Sequence, residues 1–222
     1  MSITQTPVDI GTVIQNAVVF DFKQWSGGAM NSDSLPQAID RLFVLLEQRG
    51  IDYVLVGGIA LLTYVEGRNT QDIDLIMTVS ALQDLPEIVV TQSDLYFARG
   101  RFEGLQIDLL LTENLLFEKV RRRYVTTRPL QDRDIPTATV AGLLLLKLYA
   151  LPSLYRQGDF ARVGIYENDI ATLLYDYPTP MGPLLEELVH HLPATDMAEV
   201  RAIVAEIEQR IARFRQGYTS AA

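Results

Sequence analysis

The chain contains no cysteine. That removes disulfides and thiolate metal sites at once, and it makes a reducing cytoplasm the expected compartment. Histidine is almost as scarce: there are 2, adjacent at His190 and His191. Neighbours in a helix point to different sides, and neither has a second histidine at ligand spacing. Long apolar runs are missing too. The longest, AGLLLLKLYAL from Ala141 to Leu151, is too short to span a bilayer and reads as a core helix, so no membrane association is expected. The opening stretch MSITQTPVDIGT lacks a basic region and an apolar core, so no signal peptide is expected. Positive charge is in deficit: 19 Lys and Arg against 28 Asp and Glu leave a net charge of −9. A protein-wide electrostatic grip on nucleic acid is therefore disfavoured. One local exception is RRRYVTTRPLQDR, Arg121 to Arg133, which reads either as a solvated helix end and loop or as a basic patch.

What is present suits a globular chain. Its 222 residues, 48% hydrophobic and 21% charged, are enough for one large domain or two small ones with a sizeable core. Residues 1–33 are weakly patterned and end in a linker-like WSGGAMNS. From Ser34 the pattern sharpens. Ser34 suits a helix cap and Pro36 the first turn, Ile39, Leu42, Phe43 and Leu46 share a face, and Gly50 ends the helix. DYVLV then predicts a short strand running into Gly57 and Gly58. IALLTYV predicts a helix from those glycines to Gly67. QDIDLIMTV alternates as a strand, and ALQDLPEIV predicts a helix. DLYFARGRFEGLQIDLLLT predicts two strands around a turn near Gly100 to Gly104. Beyond Arg133 the pattern is helical, ending in a stripe of Met197, Val200, Val204, Ile207, Ile211 and Phe214 that suits packing on the body of the protein or a dimer seam. The expected organisation is an extension over 1–33, a mixed α+β core over 34–133 and a helical C-terminal region over 134–222.

The unusual feature lies in YVLVGGIALLTYVEGRNTQDIDLIM, Tyr53 to Met77. Period-two geometry puts Asp72 and Asp74 on one face of one strand. Two like charges held that close repel, and burying them unpaired is costly. A cation between them resolves the conflict. Mg²⁺ is the natural candidate, being hard, oxygen-seeking and habitually shared between carboxylates and substrate phosphates. Asp108, in the equally apolar LQIDLLL, offers a third carboxylate if its strand lies beside the first. A helix opening directly after a strand at Gly57–Gly58 presents backbone N–H groups to phosphate oxygens. A phosphate cradle beside a carboxylate metal site points to phosphoryl or nucleotidyl transfer. Lys147, a lone ammonium between LLLL and LYAL, must reach solvent or meet an anion.

The order strand, Gly-Gly, helix, strand, Asp-x-Asp resembles the signature of the DNA polymerase β-type nucleotidyltransferase superfamily. It most resembles the bacterial minimal and abortive-infection (toxin-like) branches, in which an Arg-x-Thr-x-Asp-Ile-Asp segment follows the glycines; here that segment is RNTQDID, Arg68 to Asp74. The resemblance covers roughly Ile51 to Leu174. It implies an α+β polymerase β-like core with a mixed sheet, followed by a C-terminal helical region. It implies that Asp72, Asp74 and Asp108 are catalytic and bind the metal, Mg²⁺ or Mn²⁺. It implies that Gly57, Gly58, Arg68, Lys147 and Asp169 bind the nucleotide, an NTP. In relatives the last of these is often the second aspartate of a Lys-Asp-x-x-Asp-Ile segment; this chain reads IYENDI there, with Ile165 and Tyr166 in the first two places. The implied acceptor is tRNA, a protein or a small molecule. An antitoxin partner and a homodimer remain open. The alternative is an inactive binding or regulatory protein on the same fold, favoured by the change at Ile165 and Tyr166 and opposed by the intact set of aspartates.

Overall fold

Residues 34–65, 70, 72–130 and 133–219 are described by a computed structural model. The extension 1–33, Gly67 and Arg68 lie outside them, as does the side chain of Ser34 and hence its predicted cap. Two compact units divide the chain, Met1–Thr139 and Val140–Ala222.

In the first unit, helix α1 (Ser34–Gln48) buries Ile39, Leu42, Phe43 and Leu46, the face read from their spacing. Gly50 follows with φ +60°. Strand β1 (Tyr53–Val56) is buried along its whole length and leads directly into α2 (Gly57–Leu62). Helix α2 stops short of the predicted Gly67. Thr63 is buried and its hydroxyl donates back to the Ala60 carbonyl at 2.7 Å, a bond that competes with helix continuation.

Strand β2 (Asp72–Met77) follows, then α3 (Val79–Gln83), which Thr78 caps by accepting the Ala81 N–H at 3.0 Å. The helix expected over ALQDLPEIV is thus displaced and cut to five residues. Pro86 has no N–H to donate and disfavours a helical residue before it, so the chain leaves the helix and enters β3 (Val89–Ser93). All of β3 is exposed, which removes the alternation that would have marked it.

Strands β4 (Phe97–Phe102) and β5 (Leu105–Leu111) form the expected hairpin. Its turn is the two-residue Glu103–Gly104, with φ +48° and +84°, the mirror-image geometry that suits strand twist. Helix α4 (Leu115–Arg123) is followed by a second hairpin, β6 (Val125–Leu130) and β7 (Arg133–Ala138), where the sequence pointed to a loop and the start of the helical region. Pro129 and Pro136 obscured it; Pro129 lies in β6, an edge strand, where a missing N–H is tolerated.

Among the described residues seven strands make one mixed sheet in the order β3-β4-β5-β2-β1-β7-β6. Strands β2 and β5 are parallel neighbours, as are β1 and β7; the remaining pairs are antiparallel. Ile73, Leu75, Ile107 and Leu109 fill the buried face of the two central strands.

The second unit is helical: α5 (Val140–Arg156), α6 (Phe160–Asp176), α7 (Met181–Leu188) and α8 (Ala194–Thr219). Met197, Val200, Val204 and Ile207 of the α8 stripe are buried against the other helices of the unit, while Phe214 stays exposed and meets Tyr175 edge-on at 6.1 Å. Arg156 reaches both carboxylate oxygens of Asp196 at 2.8 Å, tying α5 to the first turn of α8. Among the described residues no helix is long and apolar enough to cross a membrane.

Candidate functional site

Register builds the site. Asp74 of β2 lies opposite Asp108 of β5, and Asp72 opposite Gln106. Asp108 is in turn opposite Arg99 of β4. In-register neighbours share a face of a sheet. One row therefore runs Val56–Asp74–Asp108–Arg99–Gln92 across five strands. Asp72, Asp74 and Asp108 are each half-buried, while Ile73, Leu75, Ile107 and Leu109 between them are buried. The strands are thus anchored by one face and display carboxylates on the other.

The glycines meet the same point. Gly57 adopts φ +64°, and a Cβ built there would lie 1.8 Å from Asp74 Oδ2. The Gly58 N–H points to that oxygen, 3.4 Å away. A Cβ on Gly58 would lie 2.4 Å from Thr70 Oγ1. Both glycines are required by close approach: the first by a carboxylate, the second by the threonine of the RNTQDID segment. Gly57→Ala is accordingly expected to lower stability by about 2 kcal/mol or more, from the left-handed backbone and the clash with Asp74. Urea denaturation measures this; a variant within about 0.5 kcal/mol of the parent would mean that the turn relaxes freely.

Arg99 was not singled out by the sequence, and it is the strongest electrostatic partner in the row. Its Nε donates to Asp108 Oδ1 at 2.7 Å and a terminal nitrogen donates to Oδ2 at 2.6 Å. Those hydrogen bonds raise the Arg99 guanidinium above its usual value against a partial loss of solvation, and the charges of Asp108, Asp72 and Asp74 add to the effect. One guanidinium thus feels all three carboxylates. Among the described residues no three His, Asp or Glu side chains are drawn together closely enough to hold one metal ion. The donor set still fits a hard divalent cation, because carboxylate oxygens on adjacent strands are its usual ligands. Asp72 and Asp74 are a pair that could hold it, while Asp108 is engaged by Arg99.

Lys147 and Asp169 lie in the second unit and are bound to each other. Nζ donates to Asp169 Oδ2 at 2.6 Å, with side chains only 6% and 5% exposed. Tyr166, one of the two residues that depart from the family segment, places its ring 4.3 Å from the ammonium. The arginine-rich segment is largely engaged within its own unit. Arg121 pairs with Glu118 and Asp52, Arg122 with Glu118, and Arg133 with Asp40 and Glu47. Arg128 lies over the Tyr64 ring at 4.4 Å. His191 meets Glu187 at 3.0 Å, one helical turn away.

No protein-family model and no curated protein sequence matches the chain. Among solved structures it is similar to an antigenic nucleotidyltransferase-like protein from Paracoccidioides brasiliensis. The TM-score is 0.56 at 17% identity, covering 84% of this chain and 94% of that one. It is also similar to ANT(2″)-Ia in complex with adenylyl-2″-tobramycin, with a TM-score of 0.47 at 11% identity over 78% of this chain and 95% of that one. The fold is that of a nucleotidyltransferase-like protein, an α+β polymerase β-like core on a mixed sheet followed by a helical C-terminal region.

Proposed function

We propose that the protein is a Mg²⁺-dependent nucleotidyltransferase of the polymerase β type, moving an NMP unit from an NTP to an acceptor hydroxyl. The observation that carries this is the convergence at Asp74: the Gly57–Gly58 turn sits on its carboxylate, and Asp108 stands beside it in register. A strand, a glycine turn and a parallel neighbour that were separate in sequence supply one point on an NTase-like fold.

On this proposal Asp72 and Asp74 hold the cation and Asp108 completes the set. When bound, Mg²⁺ or Mn²⁺ supplies Lewis acidity that polarises the α-phosphate and neutralises the leaving pyrophosphate. The Gly57–Gly58 backbone borders the phosphates, where the missing side chains allow close approach. Asp108 accepts the proton of the attacking hydroxyl. Arg68, Lys147 and Asp169 keep the nucleotide roles that the resemblance implies. An ammonium carries three donors, so Lys147 can serve a phosphate while retaining Asp169.

The acceptor is a tRNA, a protein or a small molecule. Engagement of Arg121, Arg122 and Arg133 by acidic residues weakens the case for a nucleic acid. A toxin role with an antitoxin partner rests on the family resemblance alone. The alternative, an inactive binding or regulatory protein, draws support from Tyr166, which fills a family-segment position and stacks on Lys147. Titration of the four NTPs with and without Mg²⁺ separates these. Mg²⁺-dependent binding of at least one NTP is expected, followed by pyrophosphate release with a competent acceptor. Absence of binding by every NTP would remove the active-enzyme proposal.

A further inference from the structure

The row of charges across the sheet contains one residue that the proposed chemistry leaves without a task. Arg99 faces Asp108 across the β4–β5 hairpin and takes both its oxygens, at 2.7 and 2.6 Å. We propose that Arg99 is a positioning residue that competes with the metal: its guanidinium holds the Asp108 carboxylate in the metal-free protein and must release it before a divalent cation can use it. This rests on the assignment of Asp72, Asp74 and Asp108 as metal ligands.

Three observations support the competition. The contact is bidentate, the geometry in which a guanidinium matches a carboxylate best. A carboxylate has further lone pairs, but a divalent ion on them would sit within a few ångströms of the guanidinium, and like charges at that range repel. Second, Arg99 also feels the fields of Asp72 and Asp74, so its charge stands within reach of all three carboxylates. Third, the guanidinium has an exit. The Arg99 side chain is 41% exposed and that of Asp108 19% exposed, so water can take over the arginine when it swings away. Arginine does not deprotonate at ordinary pH, so it leaves only by exchange. In the exchange one cation replaces another on Asp108, and no covalent bond changes. The arginine thereby offsets carboxylate repulsion in the free protein and sets a threshold for metal entry.

The test is Mn²⁺ binding to the full chain without nucleotide, followed by the electron paramagnetic resonance of free Mn²⁺. The chains compared are wild type, Arg99→Gln, Arg99→Lys and Asp74→Ala. Arg99→Gln is expected to bind Mn²⁺ about tenfold to a hundredfold more tightly than wild type, the scale of a charge-assisted bidentate pair. Arg99→Lys, which cannot reproduce the fork, should fall between them. The Mn²⁺-induced rise in Tm should be larger in Arg99→Gln than in wild type, since tighter binding to the folded state stabilises it more. A purely structural arginine predicts the opposite sign: its loss would disorder Asp108 and weaken Mn²⁺ binding. Unchanged or weaker binding in folded Arg99→Gln would overturn the proposal. Should that variant fail to fold, Arg99→Lys carries the same test, with unchanged affinity overturning it. Mn²⁺ binding by wild type that Asp74→Ala abolishes, with no response to Arg99, would remove this proposal and leave the metal site standing. No Mn²⁺ binding by wild type or either Arg99 variant would remove both.

Discussion

Asp74→Ala is expected to abolish Mg²⁺-dependent NTP binding and to lower any transfer rate by about a thousandfold or more, roughly 4 kcal/mol of transition-state stabilisation. Asp74 is the residue on which the site converges. It lies opposite Val56, the last residue before the glycine turn, on one side and opposite Asp108 on the other. Its Oδ2 occupies the space beside Gly57 that a Cβ would need and faces the Gly58 N–H. On the proposed function, removing the carboxylate takes away a metal ligand, and it also removes the group against which the Gly57–Gly58 turn is packed. Folding should survive, because Asp74 is half-buried and its loss also removes one of three like charges from the face. A change within about 1 kcal/mol is expected. Isothermal titration of the variant should resemble wild type without Mg²⁺. If the variant instead binds Mg²⁺-NTP as wild type does, Asp74 is a structural carboxylate and the metal lies elsewhere.

The central part of this arrangement is legible in the sequence, and the reason is geometric. Alternation in DIDLIM and LQIDLLL places three aspartates on the polar faces of two apolar strands, and period two leaves no freedom in that assignment. The Gly-Gly turn was legible because a strand running straight into a helix needs an unusual backbone, and Gly57 has it at φ +64°. Arg99 was missed although the signal existed. Counting outward from a two-residue turn at Glu103–Gly104 pairs Phe102 with Leu105 and, three steps further, Arg99 with Asp108. Placing the turn anywhere from Gly100 to Gly104 blurred that count, and a hairpin's register is only as well defined as its turn. Strand β3 was illegible for a different reason. All five of its residues are exposed, so burial imposed no alternation on the sequence. The β6–β7 hairpin was hidden by Pro129 and Pro136; tolerance of Pro129 depends on the edge position of β6, a property of the assembled sheet. Pair formation by Lys147 was half legible. An ammonium among leucines demands an anion, but sequence alone left open whether the anion is a phosphate or a side chain.

That ammonium carries the largest expected effect on stability. Lys147→Met is expected to destabilise the protein by about 3–5 kcal/mol, because it strands the Asp169 carboxylate in a buried position without its counter-charge. Asp169→Leu should cost a similar amount by stranding the ammonium, with part of its attraction to the Tyr166 ring retained at 4.3 Å. The double variant Lys147→Met, Asp169→Leu should recover most of the loss and lie within about 1–2 kcal/mol of the parent, since an apolar pair of similar volume avoids desolvating either ion. Strong non-additivity is the expected signature, as the two groups touch at 2.6 Å. Urea denaturation of the four chains closes the cycle. If the single losses simply add, the pair is not coupled and burial of the charges is tolerated by other means. The double variant also separates stability from function: being folded, it can be titrated with Mg²⁺-NTP. An affinity that falls in a chain of near-parental stability assigns the ammonium a phosphate in addition to Asp169. An affinity that holds makes the pair a structural element of the helical unit, and limits what the family resemblance implies to the aspartates and glycines of the sheet.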